Sequence, residues 1–239
     1  MDKMGVNRMW SLFLGFGFTK PVDDLGPHNP SSHPELLTKL AAEFRKSSYD
    51  LKQLITWITL SRPYNLAPVL GSNNEIDDPS IGEMPKFSRF YLRQMSAEQL
   101  YQSLVTATDA SSQGSYEEQE RQRNRWLQQF VVAFGTDEGD EATTFNGSIP
   151  QALMLFNGDL TKKAISTSGG SYIDRLSKTG KSPRDRVNEL FLAGLARRPS
   201  RNEMTIASKL LIARKGKEKD MLQDMWWAIL NSNEFIMQH

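Results

Sequence analysis

The chain of 239 residues is 38% hydrophobic, and its 29 Lys and Arg nearly balance 28 Asp and Glu for a net charge of +1. That balance points away from a nucleic-acid surface or an acidic tail, and the absence of cysteine excludes disulfides, thiolate zinc sites, a cysteine nucleophile and a c-type haem attachment motif. No apolar run reaches the length of about 18 residues expected of a transmembrane helix, and Met1 to Gly15 lacks the anatomy of a signal peptide because Arg8 interrupts its short apolar part.

The length allows one large domain or two small ones, with enough chain to bury a real core. Met4 to Leu14 places Met9, Trp10, Phe13 and Leu14 on one helical stripe, and Gly15 ends it. After a turn-rich stretch, Pro34 to Lys46 carries Leu36, Leu37, Leu40, Ala41 and Phe44 at helical spacing. Asp50 then caps a third helix with Leu51, Leu54, Ile55 and Ile58 inward and Trp57 beside them, and Arg62-Pro63 stops it. The short linker between these two helices predicts an antiparallel hairpin. Tyr64 to Phe90 holds several prolines and the polar run Ser72-Asn73-Asn74-Glu75. It reads as a long irregular loop, pinned at its far end by Phe87, Phe90, Tyr91 and Leu92.

Ser96 with Gln99 forms a capping box before a helix that buries Leu100, Leu104 and Val105. Ser111 to Gly114 is a polar turn, and Ser115 with Glu118 opens a longer helix. Its first half interleaves Glu117, Glu118 and Glu120 with Arg121, Arg123 and Arg125, the pattern of a solvated ion-paired face. Its second half is apolar through Trp126, Leu127, Phe130, Val131 and Phe134, and Gly135 stops it. Thr136 to Phe145 is acidic and without pattern, and a short apolar helix is expected over Ala152 to Phe156, closed by Asn157-Gly158. Ser166 to Ser171, with Gly169 and Gly170, reads as a flexible joint that matches no phosphate-binding pattern.

Ser182-Pro183 starts a helix with Val187, Leu190, Phe191 and Leu195 inward, ended by Arg198-Pro199. Ser200 and Glu203 form another capping box, and Met204, Ala207, Leu210 and Leu211 line a helix that stops near Gly216. A last helix carries Met221, Leu222, Met225, Trp226, Ile229 and Leu230, with Trp226 and Trp227 as packing residues. No segment alternates with a period of two. The expected fold is all-α, an irregular multi-helix bundle of about 8–10 helices with long loops. It is taken as a single domain over 1–239, with a subdivision into 1–165 and 166–239 as the alternative. The N-terminus reads as an internal starting point within a longer protein.

Gly15 to Glu35 (GFGFTKPVDDLGPHNPSSHPE) concentrates turn chemistry and polar side chains more than any other stretch. Gly15 and Gly17 admit backbone angles closed to other residues, and Pro21, Gly26-Pro27 and Asn29-Pro30 break any regular element. Ser32-His33-Pro34-Glu35 predicts a capping box, with Ser32 accepting the Glu35 amide and Glu35 reaching back. The candidate site residues are Asp23, Asp24, His28, Asn29 and His33. Their ordinary use is to satisfy loop backbone.

The runs Asn7-Arg8-Met9-Trp10, Pro21 to Gly26, Ser32 to Leu37, Tyr49 to Lys52 and Ser61 to Tyr64 carry a family resemblance. So do Arg93 to Leu100, Asn146 to Leu153, Phe191 to Pro199 and Trp227 to Phe235. Across nearly its whole length the chain resembles a planctomycete-type domain of unknown function. In that family the domain stands at the C-terminal end of large exported proteins that also carry a planctomycete cytochrome c-like domain and a second uncharacterised domain. Gly15-Phe16-Gly17 departs from the pattern, which has a basic residue between the glycines. The resemblance implies an extracytoplasmic or envelope location, upstream domains of the same protein as partners, and association with sulfatase-like proteins and polysaccharide processing. It carries no catalytic residue over.

Three functional readings stay open. The first is a non-catalytic helical interaction or scaffold module, because no nucleophile–base pair, metal spacing or cofactor loop is present. The second is a metal- or ligand-binding loop, in which Asp23, Asp24, His28, Asn29 and His33 offer oxygens and imidazoles to Ca²⁺ or Zn²⁺. The third is a glycan hydrolase or lyase, in which one of the neighbouring, diverging Asp23 and Asp24 works with a carboxylate such as Glu35 or Glu43.

Overall fold

The computed structural model describes residues 2–71, 73–110, 115–134 and 158–238. The chain is all-α, with eleven helices among these residues and strands only as the two-residue segments Arg93–Gln94 and Met237–Gln238. The described residues form two compact units, 2–94 and 95–134 with 158–238, each with its own hydrophobic core. The alternative boundary between 165 and 166 falls inside the second unit, where Leu160, Ala164 and Ile173 share one core.

In the first unit α1 (Asp2–Leu14) packs against both α2 (Pro34–Lys46) and α3 (Leu51–Thr59). Trp10 is central: its ring stacks on Phe18 at 4.6 Å and meets the edge of Phe87 at 5.4 Å. The buried face of α1 is Val6, Asn7, Trp10 and Leu14, while Met9 and Phe13 are half-buried. Gly15 ends the helix at φ 85°, donating its amide to Ser11 at 2.8 Å. Asp50 caps α3 by accepting the Lys52 and Gln53 amides, as its position predicts. Leu51, placed inward by the spacing, is exposed in the first turn.

The expected capping box at the start of α2 does not form. The N-cap is His33, with no side-chain cap. The Ser32 amide, which Glu35 would have accepted, donates instead to the Phe18 carbonyl at 2.7 Å. The Ser32 hydroxyl bonds His33 Nδ1 at 3.0 Å. Tertiary pairing has thus displaced the local pattern.

Beyond α3 the chain is irregular as expected, broken only by the short 3₁₀ turns Pro63–Asn65 and Pro79–Ile81. Phe87, Phe90 and Tyr91 pin the far end of this loop into the core. Leu92, expected to join them, is exposed.

The second unit contains α4 (Ala97–Thr108), α5 (Tyr116–Phe134), α6 (Asp159–Ala164), α7 (Tyr172–Ser177), α8 (Pro183–Leu195), α9 (Arg201–Ala213), α10 (Glu218–Leu230) and α11 (Asn233–Ile236). Helix α10 is its axis. It buries Met221, Leu222, Met225, Trp226, Ile229 and Leu230 and packs on α7, α8, α9 and α11. The capping boxes Ser96/Gln99 and Ser200/Glu203 form as predicted. On α5, Trp126 and Phe130 are buried, but Val131 faces solvent. The interleaved charges pair there, with Arg123 at 3.4 Å from Glu120.

Helix α8 ends before the expected Arg198-Pro199. Ala196 adopts a left-handed conformation and donates its amide to Leu192. Met204, Leu210 and Leu211 of α9 are half-buried, and only Ala207 of the expected stripe is fully buried. The segment 166–171, read as a flexible joint, is tied down: Ser171 caps α7, and Lys219 donates to the Thr167 carbonyl at 3.2 Å. The expected turn at Ser111 to Gly114, the stop at Gly135, the acidic stretch Thr136 to Phe145 and the helix Ala152 to Phe156 with Asn157 lie outside the described residues.

Candidate functional site

The loop that follows α1 is organised by one buried side chain. Asn7 Oδ1 accepts the Phe18 amide at 2.6 Å, and its Nδ2 donates to Thr19 Oγ1 at 2.8 Å and to the Val22 carbonyl at 2.7 Å. Both Nδ2 donors and the Oδ1 of a side chain with no exposed surface thus bond to loop groups. Gly17 is required by this approach, because a Cβ there would stand 2.9 Å from Asn7 Oδ1 and 3.2 Å from the Thr19 carbonyl. The loop contains a cis peptide bond at Lys20-Pro21.

The five candidate residues divide rather than converge. Asp23 is held by Arg8 in a fork, at 2.5 Å from Nε and 2.7 Å from Nη2, and that guanidinium keeps its carboxyl below the usual carboxylate range. Asp24 turns away: Oδ1 accepts the Gly26 amide at 3.0 Å, and Oδ2 lies 2.8 Å from His28 Nε2. The Gly26 amide first, and the imidazole second, hold Asp24 low. Asn29 completes this half by donating to the Asp24 carbonyl at 2.8 Å. His28 lies over Gly26, where a Cβ would meet its Cε1 at 2.5 Å.

His33 belongs to the core side of the loop, its ring centre 6.0 Å from Phe18 and 5.5 Å from Phe87. Burial lowers its pKa, and the charge of Asp77 offsets part of that shift. Asp24, His28 and Asn29 therefore make one local cluster, with Asp23 and His33 outside it. Glu43, a candidate second carboxylate, bonds Lys46 at 2.8 Å. No three His, Asp or Glu groups among the described residues form a metal-ligand set.

A second hub, with no local sequence signal, centres on Asp77. Asp77, 1% exposed, accepts the amides of Lys86 and Ser88, the Ser88 hydroxyl at 2.6 Å and the Tyr91 hydroxyl at 2.5 Å. Burial pushes this carboxyl up, but the Ser88 and Tyr91 hydroxyls and the two amides outweigh it and leave it below its ordinary value. Asp77 thus fixes the base of the long loop. The loop's aliphatic residues point the other way: Val69, Ile76 and Ile81 are 68%, 72% and 76% exposed.

The second unit holds two further charged centres and an open groove. Asp174 accepts from Lys178 and Lys219, both at 2.8 Å, and these ammonium groups hold it far below the usual range. Arg197 bridges Glu203 and Glu234 with four hydrogen bonds of 2.5–3.0 Å. The groove, about 570 Å³, is lined by the rings of Tyr172 and Phe235, the small residues Ala193 and Gly194, and the polar side chains of Gln102, Ser103, Thr106, Asp109 and Arg175. Asn7 and Asp77 lacked a sequence signal because their partners lie 9–15 residues away, and Asp174 and Arg197 lacked one because Lys219 and Glu234 reach them from 45 and 37 residues away. Only the local Ser200/Glu203 box hinted that Glu203 was fixed.

A family model described as a protein of unknown function (DUF1553), PSD1, matches residues 1–140. No curated protein and no solved structure matches the chain.

Proposed function

The chain belongs to the PSD1 family of proteins of unknown function (DUF1553), and from that premise we propose that it is a helical interaction module whose docking element is the loop 66–86. The observation that carries this reading is the outward display of Val69, Leu70, Ile76 and Ile81 on a loop bolted down at Asp77. Each such side chain gains about 1.5–3 kcal/mol when fully buried. A loop already fixed at its base loses little conformational freedom on docking. The loop lies within the residues matched by the family model.

The partner is a neighbouring domain of the same longer protein, in line with the exported, multidomain context and the cytochrome c-like domain that the resemblance implies. The test is binding of the purified chain to the separately produced upstream domains. Ile76→Ser combined with Ile81→Ser is expected to weaken the complex at least about tenfold with the melting temperature unchanged. Equal affinity of the double variant and the natural chain would remove the reading.

A second reading, contact with polysaccharide, is favoured by the groove of about 570 Å³ in the second unit. The half-buried ring of Tyr172 offers a face for an apolar sugar surface, and Gln102, Ser103 and Thr106 offer both donors and acceptors. Sulfated and unsulfated oligosaccharides titrated against the chain are expected to bind in a manner lost in Tyr172→Ala. Binding that survives this change would place the glycan elsewhere.

A further inference from the structure

Helices α8, α9, α10 and α11 line a separate pocket of about 260 Å³ whose apolar lining includes Phe191, Ile206, Leu210, Met225, Ala228 and Ile229. Its volume falls below the roughly 300–1,000 Å³ of sites for drug-sized ligands. Ile206 and Ala228 face solvent, so the pocket opens outward. Three carboxylates, Glu203, Asp224 and Glu234, also line it, and no basic side chain does.

The carboxylates are fixed in advance. Glu203 and Glu234 are clamped on Arg197, and Asp224 is held by Arg214 at 2.6 and 2.8 Å. The two arginines offset two of the three negative charges, so the wall keeps an excess of one carboxylate, and this excess favours an apolar group with cationic neighbours over the same group with acidic ones.

We propose that this pocket receives one bulky apolar side chain of a partner protein segment in which Lys or Arg residues flank that side chain. The proposal is independent of the loop 66–86, which lies in the other unit. The single anchor in a preformed pocket follows the usual distribution of binding energy, in which a few buried side chains carry most of it. The fixed carboxylates contribute discrimination and salt sensitivity more than affinity.

The probe is a fluorescein-labelled peptide with one tryptophan between paired lysines, compared with the same peptide carrying glutamates, in anisotropy titrations of the purified chain. The lysine peptide is expected to bind at least about tenfold more tightly, with the difference shrinking as salt rises. Ala228→Phe, which fills the pocket from its solvent side, is expected to weaken the lysine peptide at least about tenfold. Ile206→Asn serves as a second variant at an exposed wall position, should the phenylalanine disturb folding. Equal affinities for the two peptides, unchanged binding in a folded pocket variant, or no binding of the lysine peptide would each overturn the proposal.

Discussion

Asn7 Oδ1 and the Phe18 amide are joined at 2.6 Å, and this bond sets where the chain goes after α1. Asn7→Ala would leave the buried Phe18 amide without its partner, while the Val22 carbonyl would keep the Thr19 hydroxyl at 3.2 Å. The expected loss is about 1–3 kcal/mol, the cost usual for one buried polar group left unpaired. Gly17→Ala is also expected to destabilise, since its Cβ would press on Asn7 Oδ1 at 2.9 Å. The two changes share one contact, so the double variant should lose about 1 kcal/mol less than the sum of the singles. Urea unfolding of all four proteins measures this coupling, and strict additivity would separate Gly17 from Asn7.

Gly194 sets two effects against each other. Glycine is less favourable than alanine in a helix interior by about 1 kcal/mol, and at Gly194, in the last turn of α8, the part of this that applies favours Gly194→Ala. A Cβ here would stand 2.6 Å from Ile229 Cγ2 and 3.1 Å from Trp226 Cζ3, where α8 meets α10. Overpacking of this kind costs about 1–3 kcal/mol, so the net change should be destabilising. Gly194→Val should cost more. A rise in melting temperature for Gly194→Ala would mean that α8 and α10 shift apart freely.

What the sequence made legible follows from the range of each interaction. Gly15, Asp50, Ser96 with Gln99 and Ser200 with Glu203 act on amides within a turn of themselves, and each performs the expected role. Ser32 with Glu35 carries the same signature, yet the Ser32 amide goes to Phe18 across the loop and the cap is lost. Among the candidate site residues, closeness in sequence did not bring convergence. Arg8 draws Asp23 away, and Phe18 and Phe87 enclose His33. Asp77 and Asp174 were invisible because Tyr91 and Lys219 reach them from far along the chain. The pocket walled by Glu203, Asp224 and Glu234 draws on α8, α9, α10 and α11 together, and no single helical stripe announces it.

Asp77 makes a prediction about the loop and about acid. Asp77→Asn would turn a donor toward groups that already donate: the Lys86 and Ser88 amides and the Tyr91 hydroxyl. A loss of about 2–3 kcal/mol is expected from the broken charge-assisted bonds. Proteolysis should become faster within 66–86 before the rest of the chain is cut. In the native protein the folded-state pKa of Asp77 lies below its unfolded value of about 3.9. Its stabilisation is therefore present above that unfolded value and is lost as pH falls through the lower folded one. Loop cleavage in the native chain should accelerate below about pH 4, while the Asp77→Asn loop should be cleaved quickly at every pH. Equal protection of the two loops at neutral pH would detach Asp77 from the anchoring role.

Glu203 reports on the wall of the proposed peptide pocket through the same linkage. Hydrogen bonds from Arg197 lower its carboxyl to about 2 against burial, which raises it. Its unfolded value is near 4.3, so stability from this group is present above about pH 4.3 and is lost as pH falls toward 2. Part of the Glu203–Arg197 contact is exposed, and solvent screening reduces its value to about 1–2 kcal/mol. Glu203→Gln is expected to lower stability by that amount at pH 7 and to flatten the fall between about pH 4.3 and 2. The fall should not vanish, because Asp174 is also held low by Lys178 and Lys219 and loses its contribution in acid as well. Urea midpoints of both proteins across this range make the comparison. Curves that stay parallel down to pH 2 would show that Arg197 does not hold Glu203, and with it one side of the acidic wall, in place.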